Sequence, residues 1–146
     1  MKKIFNMKIK LNRTHIDSGE EYVNNGMEDN SYYDKPLNNK EVVLPPNKEY
    51  ILKIDYPLST PAKFKVSSGK NGITRGKLVA LIRKYYQKVY EIEDSSTKIK
   101  PKMIPNMLNR DFTDGKFGIW GHVIGDLVLV DAEISKEGVI TLGVDS

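Results

Sequence analysis

With two histidines, His15 and His122, and no cysteine, the chain has little to build acid–base or metal chemistry from. Thiolate nucleophiles, disulfides and thiolate-bound zinc are excluded from its 146 residues. The densest segment is DGKFGIWGHVIGDLVL, in which Gly115, Gly118, Gly121 and Gly125 interleave with Phe117, Trp120, His122 and Asp126. Glycine at that density allows positive φ and close backbone approach, so the rings can tuck into a tight turn. His122 and Asp126 could form an acid/base or metal pair. A working site would also need a nucleophile, more ligands or an oriented substrate, and none is near in sequence. The preferred reading is a turn anchored by Trp120 with His122 satisfied by a hydrogen bond. No cofactor and no bound metal are expected.

The loop SSGKNGITRGKL resembles a phosphate-binding P-loop only superficially. Gly72 and Gly76 are separated by three residues rather than four, and Lys77 is followed by Leu78, which cannot ligate magnesium. Arg75 and Lys77 nevertheless fall where a helix begins, and cations there oppose the macrodipole by about 0.3–1 kcal/mol each. An anion on the free amides would reverse that penalty. With Lys70, Lys84 and Lys88 they form a candidate surface for phosphate, nucleic acid or an acidic partner, against which stands the reading of solvated side chains.

These residues depend on one helix, expected over about residues 74–94 with Thr74 as its N-cap. At about 100° per residue, Leu78, Leu81, Ile82, Tyr85, Val89 and Ile92 fall within a sector of roughly 100°, the expected core face. Lys77, Lys84 and Lys88 lie opposite it. A third stripe, Val79, Arg83, Tyr86 and Tyr90, has the aromatic-plus-arginine composition of protein interfaces. It could equally widen the buried face while Arg83 snorkels.

Strands are expected at 50–56 and 63–66, paired as a hairpin, and at 127–134 and 139–144, paired as a C-terminal hairpin. IFNMKIKL alternates with period two and suits another short strand. Residues 1–40 are expected as a flexible or extended arm and residues 41–146 as one α+β domain, a long helix on a small, mainly antiparallel sheet. The net charge of +4 hides opposed blocks: +5 over residues 1–13, −5 over 14–47, +9 over 48–110 and −5 over 111–146. No stretch approaches the roughly 18 apolar residues of a membrane span, and the broken apolar run at the start is unlike a signal peptide.

The segments ITRGKLVALIRKYYQKVYEIED, PNMLNR, GKFGIWGHVIGDLVLVDAEI and VITLGVDS together resemble an uncharacterised family encoded by giant DNA viruses, over about residues 72–146. The resemblance implies a viral protein working inside the host cell or the virion, not a secreted one. It brings no established activity to carry onto any residue.

The expected function is a non-catalytic structural or interaction module that contacts a protein through Arg83, Tyr86, Tyr90, Trp120 and His122. The alternative is a nucleic-acid accessory protein using Lys70, Arg75, Lys77, Lys84 and Lys88, and the third is a small enzyme centred on His122 and Asp126. A salt series separates the first two, because phosphate-driven binding weakens steeply with salt.

Overall fold

A computed structural model describes residues 7–10, 41–105 and 109–145. Among the described residues, seven strands, β1 (Met7–Lys10), β2 (Val42–Leu44), β3 (Glu49–Ile54), β4 (Ala62–Ser67), β5 (Ile73–Thr74), β6 (Val128–Ile134) and β7 (Val139–Asp145), accompany one α-helix, α1 (Arg75–Ser96). The fold is α+β.

The main sheet has the order β1-β6-β7-β3-β4. Two antiparallel hairpins, β3–β4 and β6–β7, lie side by side, and their seam is the parallel pair β3–β7. Alternation in YILKI and AKFKV decides the register. Tyr50, Leu52 and Ile54 pair with Val66, Phe64 and Ala62, so all six share the face turned to the core. In β6 a bulge between Leu129 and Asp131 shifts the side-chain parity, which lets Leu129, Ala132 and Ile134 all be buried. Strand β7 is flanked on both sides, so the last strand of the chain is interior to the sheet.

One expectation changes at the N-terminal boundary. The sheet takes in Met7–Lys10, which pairs antiparallel with β6, so the domain is not confined to residues 41–146. The period-two alternation there supplies a strand, as its sequence suggested. The remainder of the expected arm, including residues 11–40, lies outside the described residues. Strand β2 pairs with β5 immediately before the helix and ties the incoming chain to the helix start.

The helix begins where Thr74 Oγ1 accepts the Lys77 amide at 3.2 Å, the capping interaction expected from the sequence. Its buried face differs from the expected one. Leu78, Val79, Ile82, Arg83, Tyr86, Val89, Tyr90 and Glu93 are buried, while Leu81, Tyr85 and Ile92 are only partly so. On a helical wheel the centre of the face has turned by roughly 80°. Burial follows what each side chain can reach. The Tyr86 hydroxyl donates to the Tyr56 carbonyl at 2.8 Å and the Tyr90 hydroxyl to the His122 carbonyl at 2.9 Å. Tyr85 instead stacks on Phe64 at the margin of the core, with ring centroids 4.4 Å apart.

Candidate functional site

The C-terminal end of α1 organises the glycine-rich segment through one buried carboxylate. Glu93 Oε2 accepts from the Thr113 hydroxyl at 2.6 Å and from the amides of Gly115 and Ile119 at 2.7 and 3.4 Å. Its Oε1 accepts from the amides of Phe117 and Gly118 at 2.9 and 3.1 Å. Burial favours the neutral acid. The Thr113 hydroxyl and the Phe117, Gly115 and Gly118 amides outweigh it and hold the carboxyl below its usual range. A Cβ on Gly115 would stand 2.7 Å from the Glu93 carbonyl and Oε1, so this close approach requires glycine. Gly118 has φ +69°, which lets the backbone turn its amide inward.

Arg110 braces this arrangement. Its guanidinium pairs with Asp94, donates to Thr113 Oγ1 at 3.3 Å and lies over the Tyr90 ring at 5.3 Å. Next to the cradle, the Asp114 carboxylate accepts from the Lys98 amide and the Thr97 hydroxyl, both at 2.9 Å, closing the chain after the helix. Those bonds lower its pKa.

On its outer side the segment presents aromatic surface. The Thr113 amide donates to the Ile119 carbonyl at 2.9 Å, and both residues are fully buried. Next to these two in sequence stand Phe112 and Trp120, 51% and 43% exposed. Behind Trp120, the Tyr56 ring meets the indole edge-to-face at 5.6 Å and 89°, and the Trp120 amide donates to the Pro57 carbonyl at 3.1 Å. The Tyr56 hydroxyl and His122 Nε2 are 2.9 Å apart, and His122 Nδ1 lies 3.6 Å from Asp126 Oδ2. The Asn109 side chain donates to the Gly121 carbonyl at 3.0 Å.

The expected contact stripe is corrected in part. Arg83, Tyr86 and Tyr90 are buried, so they widen the core instead of presenting an interface. Burial pushes the phenols of Tyr86 and Tyr90 well above their ordinary pKa, with the Asp55 carboxylate adding to it at Tyr86 and those of Asp126 and Asp94 at Tyr90. Trp120 keeps its exposure, and His122 is half-buried behind it.

The expected anion site is also reduced. Arg75 is half-buried and pairs with Glu41 at 2.7 Å, and its amide donates to the Glu41 carbonyl, so a carboxylate of the chain itself already occupies that end of the helix. Lys70, Lys77, Lys84 and Lys88 remain exposed and pair with no carboxylate among the described residues. Lys77, Lys84 and Lys88 share one ridge opposite the core face.

The tyrosine behind His122 went unrecognised in the sequence, as did Glu93 and its partners. Tyr56 is 66 residues from His122, and their segments meet at the bridge between Leu58 and Ile119. In the sequence Glu93 is one of three acidic residues, with Glu91 and Asp94, near the end of the helix. The glycines at 115 and 118 were its available signal, since close-packed amides need an acceptor.

Chemically, a Tyr–His–Asp series can move a proton. Here His122 Nε2 is taken up by Tyr56, and its separation from Asp126 exceeds a hydrogen-bond length. The clustered amides that could stabilise an oxyanion, those of Gly115, Phe117, Gly118 and Ile119, are already spent on Glu93. Among the described residues no group of three or more His, Asp or Glu is placed to hold a metal ion. No described helix is long and apolar enough to cross a membrane.

No protein-family model matches the chain, and neither a curated protein nor a solved structure does.

Proposed function

We propose that the protein is a non-catalytic interaction module whose contact surface is the Trp120–Phe112 face. The observation that carries this reading is the division of the 112–120 segment into two sides. Thr113, Phe117, Gly118 and Ile119 are buried and bonded to Glu93, while Phe112 and Trp120 are about half exposed. The exposed part of each ring adds nothing to the fold by burial, and aromatic anchors are what protein interfaces use. The resemblance to a family of giant DNA viruses supports a viral, intracellular setting for this contact.

Affinity recovery of partners from the source cells tests the reading with two sets of variants. Trp120→Ala with Phe112→Ala is expected to abolish recovery of a protein partner while the fold persists, and Lys77→Glu/Lys84→Glu/Lys88→Glu is expected to leave it intact. The reverse pattern, with the partner also released by nuclease, would contradict it. That outcome would favour the second reading, a nucleic-acid accessory role, which rests on the exposed ridge of Lys77, Lys84 and Lys88.

A further inference from the structure

The Trp120 face carries charge as well as rings. Tyr56, Trp120 and His122 form a corner, with centroid separations of 5.6 Å for Tyr56–Trp120, 5.6 Å for Tyr56–His122 and 6.5 Å for Trp120–His122. Two of these rings are perpendicular, so a π face and a ring edge meet at the angle of the corner. The carboxylate of Asp126 stands 3.6 Å from the His122 ring, with 36% of its side chain exposed. Asp55, exposed, immediately precedes Tyr56. Asp55 adds to the raised pKa of the buried Tyr86 and Asp126 to that of Tyr90, where the Arg110 guanidinium opposes it. The nearby arginine, Arg110, is buried and already engaged by Asp94 and Tyr90.

We propose that this corner binds a cationic side chain, an arginine or a lysine, of a partner polypeptide. The proposal deepens the interaction reading and rests on it. The charge complementarity selects the occupant. An anionic partner would be repelled by Asp55 and Asp126. An apolar one would strip water from both carboxylates and give nothing back. A guanidinium or ammonium meets the ring quadrupole and the carboxylates together, and arginine stacks as well as pairs.

Trp120 is the chain's single tryptophan, so its indole N–H gives one unambiguous resonance. The full-length protein is titrated with acetyl-arginine amide and, separately, with the neutral acetyl-norleucine amide while that resonance is followed. The arginine probe is expected to give a saturable shift and to bind at least about threefold more tightly than norleucine, the size of an exposed cation–π contact. Asp126→Asn, in which the fold is checked by the unchanged spectrum of the strands, is expected to erase most of that preference. Equal binding of the two probes would overturn the cation assignment yet leave an apolar interaction surface. No saturable shift with either probe, or an arginine preference that survives Asp55→Asn/Asp126→Asn, would also overturn it. The partner-recovery experiment above reads the interaction reading separately, by loss on Trp120→Ala with Phe112→Ala.

Discussion

At each end of helix α1 a glutamate carboxylate takes up hydrogen-bond donors, but in two different media. At the N-terminal end Glu41 pairs with Arg75 at 2.7 Å while half of the Glu41 side chain remains exposed. At the C-terminal end Glu93 is fully buried and takes a hydroxyl and four loop amides. Water competes for the first carboxylate and screens it, so the pair mainly fixes how the chain enters the helix. Water is excluded from the second, and each amide aimed at it would be left unsatisfied without it. The same functional group therefore adjusts one end and organises the other. The consequence reaches function, because the segment organised by Glu93 is the one that carries Phe112 and Trp120.

The sharpest way to break this contrast is Glu93→Gln. A glutamine offers one acceptor oxygen where two are used, and its NH₂ would face amide or hydroxyl donors. We expect a loss of about 3 kcal/mol or more in urea unfolding, since a buried network would keep several unpaired donors. Acid tests the same group with a defined sign. Because the folded pKa of Glu93 is depressed, its contribution is present above the ordinary glutamate value of about 4.3 and is lost as pH falls through the lower folded value. Wild-type stability should therefore fall more steeply than that of Glu93→Gln below about pH 4.

Smaller effects follow away from the cradle. Tyr90→Phe removes the hydroxyl that holds the His122 carbonyl and should cost about 1 kcal/mol. Glu41→Gln at the other end should cost only about 0.2–1 kcal/mol and lose that effect at high salt. A change of similar size and opposite sign is Lys77→Glu. The first turn of the helix holds no acidic residue, so a carboxylate there should stabilise by about 0.3–1 kcal/mol. An effect at Glu41 as large as at Glu93 would erase the distinction between the two ends.

How much of this was legible in the sequence divides along the same line. Local patterns were readable: the Thr74 cap, the two hairpins, and the turn packed with glycine and aromatic residues. The buried face of α1 was misplaced because apolar periodicity counts aliphatics. It does not count the hydrogen bonds that let Tyr86, Tyr90 and Glu93 enter the core. The contact stripe failed for that reason. Trp120 was singled out, but its supports were not, since Tyr56 and Arg110 reach the site through pairings distant in sequence or outside regular elements. Arg75 was read as a candidate for an external anion because nothing local marked Glu41, 34 residues earlier, as its partner.

Amide hydrogen exchange tests the central claim most directly, that a buried carboxylate at the end of α1 fixes the segment presenting Trp120. In the wild type the Gly115, Phe117 and Gly118 amides should exchange slowly, and in Glu93→Gln on the order of 10–100-fold faster, matching about 1–3 kcal/mol per unsatisfied donor. The amides of β6 and β7 should change far less. Fast exchange of those three amides in the wild type, or equal acceleration across the sheet, would contradict the account.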